Sequence, residues 1–108
     1  MSGLVTVYAV FASGEEAERV ARALVADGLA ACANILGPCR SIFRWEGRLE
    51  ETEEVPVLFK AAETNAARLV EEIAARHSYE VPAVTVWKID RALDAYTRWV
   101  HLAQKGGG

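Results

Sequence analysis

The sequence predicts an α+β domain with the element order β-α-β-β-α-β and a further helix at its C-terminal end. A length of 108 residues fits one domain. Short apolar runs typical of strands recur along the chain. Between them lie two segments whose apolar residues have helical spacing and whose ends carry capping signals. Together these features indicate the split βαβ arrangement.

The first strand and helix have the clearest signals. Residues 4–11 are apolar at nearly every position, which is typical of a central strand buried on both faces. Ser13 and Glu16 have the spacing of a capping box, in which each side chain bonds to the other's backbone N–H. Gly28 fits the position just after the C-terminal end of the helix.

The middle of the chain predicts three further sheet segments. Residues 29–36 form an apolar run and residues 40–46 alternate, so both are expected to be strands. Residues 47–53, which include three glutamates, are expected to form a polar hairpin tip, and residues 55–60 to continue the sheet. Pro56 has no N–H to donate, so we expect it at a sheet edge or a bulge.

The second half of the chain repeats the pattern. Thr64 is expected to cap a helix with an apolar stripe, residues 83–89 to form the last strand, and residues 93–103 to form a final helix. The whole order matches the ferredoxin-like fold, so residues 1–104 are expected to be a single domain. Residues 105–108, a lysine and three glycines, are expected to be a flexible tail.

The composition of the chain favours some classes of binding partner and argues against others. A net charge of −3 without a Lys/Arg cluster argues against nucleic acid. A domain of this size buries only about two-thirds of its unfolded surface, so self-association is expected. We expect no membrane span and a cytoplasmic location, because the apolar N-terminal run is short and no basic segment precedes it. In a reducing compartment Cys32 and Cys39 are expected to be free thiols.

Several activities known for this fold lack their residues. The first loop has neither a pair of cysteines for a soft metal ion nor an arginine for an acyl phosphate. The central strands lack the aromatic and basic residues that stack and hold RNA, and there is no glycine-rich phosphate loop. An enzyme using His77 as acid/base and Lys60 as anion holder has no accompanying nucleophile, so we expect a protein that is not an enzyme.

Three residues have both a structural and a chemical interpretation. Cys32 is either a small buried side chain or a soft metal ligand. His77 is either a cation at a helix C-terminus or a metal ligand and proton carrier. Lys60 is either a charge on an edge strand or an anion clamp. The tryptophans are expected to anchor the core or an interface.

Three segments in order resemble the CutA divalent-cation-tolerance family. They are LAACANI (residues 29–35), SIFRWEG (residues 41–47) and HSYEVP (residues 77–82), supported by Lys60 and by the segment YTRW at residues 96–99. The resemblance implies a ferredoxin-like protomer in a compact homotrimer, with long strands pairing between subunits. It implies a trimer similar to that of the PII signalling proteins.

The resemblance also implies a function and a set of residues. The function is tolerance of divalent cations, copper especially, with a metal ion or small ligand in clefts between subunits and no organic cofactor. Cys32 and His77 are the implied metal ligands. The implied cleft residues are Trp45, Glu46, Lys60, Tyr79 and Glu80. The alternative is a PII-like signalling or structural interaction module without physiological metal binding.

The sequence departs from the family pattern at four places. The first loop, residues 12–15, lacks the usual threonine and proline; Phe43 replaces a common tyrosine; Ala61 replaces a threonine; and Ser78 replaces a proline after the histidine. These changes affect the loops and the cleft and leave the expected architecture intact.

Overall fold

The computed structural model describes residues 2–104, so the predicted tail at residues 105–108 lies outside the described residues. The elements in chain order are β1 (Leu4–Phe11), α1 (Gly14–Ala26), β2 (Cys32–Ile35), β3 (Cys39–Trp45), β4 (Arg48–Ala62), a 3₁₀ turn (Glu63–Asn65), α2 (Ala66–Arg76), β5 (Val84–Ile89) and α3 (Asp94–Ala103). This order confirms the predicted succession of elements.

The strands of the described chain form an antiparallel sheet in the order β2-β4-β1-β5, and β3 also pairs with β4. Strand β1 lies between β4 and β5, as its apolar sequence predicted. Because β2 and β3 pair with successive parts of β4, they act as one long strand interrupted between them. The topology is that of the ferredoxin-like fold, and the predicted fold class is confirmed.

The two faces of the sheet differ in what covers them. One face packs against α1 and α2 and forms the core, whose fully buried residues include Val5, Val7, Phe11, Val20, Leu24, Phe59, Leu69 and Ile73. Because directly paired residues share a face, the strand register places another set together on the opposite side, here called the open face. Its central residues are Thr6, Tyr8, Cys32, Asn34, Leu58, Lys60, Thr85 and Trp87. Helix α3 packs near its end, where Val100 contacts Leu4 and Ala31.

The ends of α1 confirm two predictions and correct one. The Ser13 hydroxyl accepts a hydrogen bond from the Glu16 N–H at 3.1 Å, as a capping residue does. Gly28 has a positive φ of 77° and donates to the Val25 carbonyl, the αL position that ends a helix. The reciprocal half of the capping box is wrong, because the Glu16 carboxylate instead accepts from Ser78.

The start of α2 also differs from the prediction. Thr64 does not cap the helix, because it lies inside the 3₁₀ turn Glu63–Asn65 and the N-cap position falls on Asn65. The Asn65 side chain is buried and donates to the Leu29 carbonyl at 3.4 Å. It therefore ties the start of α2 to the chain leaving α1.

The predicted polar tip at residues 47–53 is wrong in extent. The reversal consists of Glu46 and Gly47, both with positive φ, and Trp45 pairs directly with Arg48. Two central residues with positive φ make the type I′ turn that suits a tight hairpin. The acidic residues that follow belong to β4 and pair with β3, so the strand pair extends to the tip.

We call β3 together with residues 48–54 of β4 the arm. The protein measures 45 × 25 × 23 Å, and most residues of the arm are exposed. At its base, residues 36–38 lie opposite the two residues Val55 and Pro56, which is a one-residue irregularity in the ladder. Pro56 therefore lies at the junction between β2 and β3, where a missing N–H costs no strand bond, and its predicted position at a bulge is confirmed.

Candidate metal and ligand sites

His77 has a fully buried side chain just after the end of α2. Its Nε2 lies 2.7 Å from the Val10 carbonyl oxygen, and its Nδ1 accepts from the Tyr79 N–H at 3.1 Å. Because Nδ1 accepts and a carbonyl can only accept, these two contacts place a ring hydrogen on Nε2. The ring also stacks on Phe11, with centroids 4.8 Å apart. Both nitrogens are thus engaged, and a metal ion could bind only if one of these bonds broke.

Two buried carboxylates hold the loop that follows His77. The Ser78 N–H and hydroxyl donate to the Glu16 carboxylate at 2.7 and 2.8 Å. The Tyr79 hydroxyl donates to Glu54 at 2.9 Å. Burial and then the hydrogen bond to Glu54 raise the pKa of Tyr79 to about 12. The loop is therefore fixed to α1 on one side and to the base of the arm on the other.

Cys32 lies on the open face at the start of β2, where it is half-buried. Its Sγ is 3.5 Å from the Tyr96 hydroxyl, and either atom can donate. Burial and then this contact raise the pKa of Tyr96 to about 12. Tyr96 also stacks against Trp99 at a centroid distance of 5.8 Å. The thiol therefore lies between the sheet and α3, and within residues 2–104 its hydrogen-bonding partner is the Tyr96 hydroxyl.

Lys60 lies next to Cys32 on the open face. The two residues are directly paired across β4 and β2, and Thr6 is the partner of Lys60 on β1. The Lys60 ammonium donates to the side-chain oxygen of Asn34 at 2.7 Å, in an exposed hydrogen bond. Tyr8 and Trp87 stack beside this group at 5.3 Å. The strands thus collect donors and aromatic rings in one place.

The remaining predicted cleft residues lie elsewhere. Trp45 and Glu46 are exposed at the arm tip. Arg48 and Lys60 are twelve positions apart on β4, which is about 40 Å at the usual rise of a strand. Glu80 is exposed in the loop before β5. A single chain therefore groups Cys32 with Lys60 and groups His77 with Tyr79, and it does not bring all seven predicted residues together.

The two predicted metal ligands are on opposite faces of the sheet. His77 stacks on Phe11 of the core face, whereas the register places Cys32 on the open face. Within residues 2–104 there is no group of three or more His, Cys, Asp or Glu side chains that could hold a metal ion. The described part of one chain thus does not contain a complete metal site.

Four structurally important polar residues were not singled out for these sites: Glu16, Asn34, Glu54 and Tyr96. The position of Glu16 three residues after Ser13 indicated a capping box, and this local pattern gave no sign of its contact with Ser78. Glu54 ended an acidic run that looked solvated, and Tyr96 matched the apolar stripe of α3. Asn34 follows Cys32 by two positions on a strand, so a shared face was the available signal.

The fold, the half-buried Cys32 thiol and the Lys60 ammonium define a small ferredoxin-like protein with polar groups on an uncovered sheet face. Residues 5–103 match the model of the family described as CutA1 divalent ion tolerance protein. The chain belongs to this CutA family of divalent-cation-tolerance proteins.

Curated relatives agree with this assignment. The chain is 37% identical to the divalent-cation tolerance protein CutA of Archaeoglobus fulgidus over 87% of this chain and 91% of the relative. It is 36% identical to the protein of the same name from Pyrococcus horikoshii, over 90% of this chain and 94% of the relative. Both alignments cover most of this chain and most of the relative.

Solved structures of the family have the same fold. The structure named periplasmic divalent cation tolerance protein CutA from Archaeoglobus fulgidus superposes with a TM-score of 0.90 at 35% identity, covering 93% of this chain and 97% of that one. CutA from Xylella fastidiosa gives a TM-score of 0.92 at 25% identity, covering 95% and 99%. Within residues 2–104 no helix has the length and hydropathy to cross a membrane.

Proposed function

We propose that this chain forms a homotrimer that contributes to divalent-cation tolerance and binds a divalent cation, copper above all, or a small ligand in clefts between its subunits. The observation that carries the proposal is an apolar, aromatic surface that one chain leaves uncovered along the open face and the arm. Phe43, Trp45 and Trp87 are 40%, 47% and 50% exposed. Exposed aromatic side chains of this size are typical of an interaction surface in a small protein.

Unpaired strand edges support assembly by copies of the chain. Among the described strands β3 pairs with β4 alone and β5 pairs with β1 alone, so each has a free edge. A free edge offers a row of N–H and C=O groups to another strand. The long strand pair of the arm also extends far enough from the body to reach a neighbouring copy. These features favour strand pairing between subunits.

Cys32 is the residue through which we propose the metal is bound. Its thiol is half-buried and faces the uncovered side of the sheet, whereas the His77 ring is enclosed and hydrogen-bonded at both nitrogens. A thiolate is a soft ligand that suits copper. The other ligands would come from neighbouring subunits, since the described part of one chain supplies no complete set.

The alternative is a PII-like signalling or structural interaction module. The fully engaged state of His77 favours it, because a residue that fixes a loop needs no metal. Neither reading makes the chain an enzyme, in keeping with a family name that denotes no reaction. A cytoplasmic location is also a proposal, and it rests on the short apolar N-terminal run without a basic segment before it. Among the relatives, one solved structure is named periplasmic and the Arabidopsis thaliana protein is named chloroplastic.

A copper titration distinguishes these alternatives. Equilibrium dialysis against copper would compare wild type with Cys32→Ser and His77→Ala, and Cys39→Ser serves as the matched thiol control. We expect at least tenfold weaker binding in Cys32→Ser and unchanged binding in Cys39→Ser. Weakening in His77→Ala alone would make His77 the ligand instead. If none of the substitutions alters binding, the copper site is wrong and the interaction module is the better account.

A further inference from the structure

The Lys60 ammonium has no negatively charged partner in the described structure. Its described polar contact is the neutral oxygen of Asn34 at 2.7 Å. The described ion pairs do not include it. Glu54 lies six residues earlier in β4, about 20 Å away by strand rise, and Glu63, three residues after Lys60, pairs with Lys88. This hydrogen bond is exposed, so a ligand can reach the ammonium from solvent. Lys60 is therefore an accessible cation without a counter-ion among the described residues.

Further hydrogen-bond donors lie at the strand positions next to Lys60. Two of the three N–H groups of the ammonium remain after the bond to Asn34, and within residues 2–104 the side-chain N–H₂ of Asn34 donates no hydrogen bond. Thr6, the cross-strand neighbour of Lys60 on β1, adds a hydroxyl on the same face. All these groups can donate, and the nearest strand positions contribute no carboxylate acceptor.

The residues around Lys60 belong to the central sheet and to α3. Tyr8 and Trp87 stack on one side, and the paired Cys32 and Tyr96 lie on the other. Because Lys60, Thr6 and Asn34 are on strands of the central sheet, their backbone positions are fixed by the ladder. A site built on strands needs little rearrangement to bind its ligand.

We infer that Lys60, Asn34 and Thr6 form a binding site for a small oxyanion, a carboxylate or a phosphate group, on the open face. The oxyanion accepts from the Lys60 ammonium and the Asn34 amide and supplies the missing negative charge. This inference rests on the proposed function, because the site lies on the face we propose to be covered by neighbouring subunits. It names the chemistry of the small ligand that such a cleft takes.

Thermal denaturation of the full chain with inorganic phosphate or acetate tests the inference, at ionic strength held constant with sodium chloride. We expect wild type to gain several degrees in Tm with one of the two anions, and the stronger anion identifies the source of the oxyanion. Lys60→Met, which keeps the length of the side chain, is expected to lose the response. Lys88→Met is the matched control, because Lys88 pairs with Glu63 and belongs to the other face.

A second variant keeps the test valid if Lys60→Met fails to fold. Asn34→Asp places a carboxylate beside the ammonium, so it is expected to raise Tm without anion and to abolish the anion response. An absent response in wild type, or an equal response in Lys60→Met and Lys88→Met, overturns the inference. Sedimentation of the same samples separates this failure from failure of the proposed function, because an oligomer without anion binding contradicts the oxyanion site alone.

Discussion

The hydroxyl of Tyr79 donates to Glu54 at 2.9 Å and joins the loop after α2 to the base of the arm. Glu54 is buried and pairs with Cys39 at the start of β3. The centroid of the His77 ring lies 4.8 Å from that of Tyr79, and the same ring is hydrogen-bonded to the Val10 carbonyl near the end of β1. The loop, the core and the arm therefore meet through one continuous set of contacts.

Replacing Tyr79 with phenylalanine removes the donor and leaves the buried Glu54 carboxylate without it. We expect Tyr79→Phe to lower the free energy of unfolding by about 1–3 kcal/mol, the cost of an unsatisfied buried polar group. Urea denaturation measures the difference. Tyr8→Phe is the control, because Tyr8 stacks on Trp87 and its hydroxyl has no described hydrogen bond. Equal losses in both variants would contradict the role of the Glu54 contact.

Alkaline pH is expected to weaken the fold through two tyrosines. The pKa values of Tyr79 and Tyr96 are raised to about 12 from the ordinary 10.0, so the fold favours the protonated phenols. Their contribution to stability is complete below pH 10 and is lost as the pH rises towards 12. The unfolding free energy of the double variant Tyr79→Phe/Tyr96→Phe is expected to fall less steeply across this range.

Absorbance at 295 nm checks the same point directly. Phenolate formation in the folded protein should include a step near pH 12 that shrinks in each single variant and is absent from the double variant. A wild-type titration complete by pH 11 would contradict the raised pKa values.

The enclosed position of His77 makes it important for stability. His77→Ala removes a ring stacked on Phe11 and two hydrogen bonds, so we expect a loss of about 3 kcal/mol. His101→Ala, at an exposed position in α3, is expected to change stability by less than about 0.5 kcal/mol. Calorimetric melting of both variants provides the comparison. A His77→Ala protein as stable as His101→Ala would mean that the ring is free for other roles.

The hairpin tip requires a glycine at residue 47. Its φ of 78° is disfavoured for side chains with a Cβ, so Gly47→Ala is expected to destabilise by about 1 kcal/mol. Gly37→Ala is the matched control, because an added Cβ there meets no atom within 4 Å and φ lies outside the positive region. Equal denaturation midpoints for the two variants would show that the tip tolerates an L-residue.

The strands and helices could be predicted because their signals are local. The apolar run of β1, the Ser13 cap and the Gly28 end each depend on a few neighbouring residues. The length of the arm could not be predicted in this way, because its acidic residues have the composition of a loop and only their pairing with β3 shows that they form a strand. The polar composition of this segment favours a loop, whereas its pairing with β3 and the tight Glu46-Gly47 turn make it a strand.

The candidate sites were less predictable because they depend on contacts between distant segments. Glu16 and Ser78 are 62 positions apart, and Cys32 and Tyr96 are 64 apart. No spacing rule connects such residues. The family resemblance identified Cys32, Lys60 and His77 as residues of interest, and the structure adds that His77 faces the core while the other two share the open face.

Aromatic side chains on the arm are expected to hold the assembly together. The double variant Phe43→Ser/Trp45→Ser should keep the far-ultraviolet circular dichroism of the wild type while its apparent dissociation constant for assembly rises at least a hundredfold. Val25→Ser is the control, because Val25 is a partly exposed apolar residue of α1, on the helix side of the sheet. Sedimentation velocity across a concentration series measures the shift. Similar behaviour of both variants would remove the arm from the interface.

The molar mass of the wild-type protein tests the central claim of self-assembly most directly. Sedimentation equilibrium at micromolar concentration is expected to give about 35 kDa, three times the chain mass of 11.8 kDa. A mass of 11.8 kDa at every concentration up to the millimolar range would contradict the claim, because the open face and the arm would then be free surfaces of a monomer.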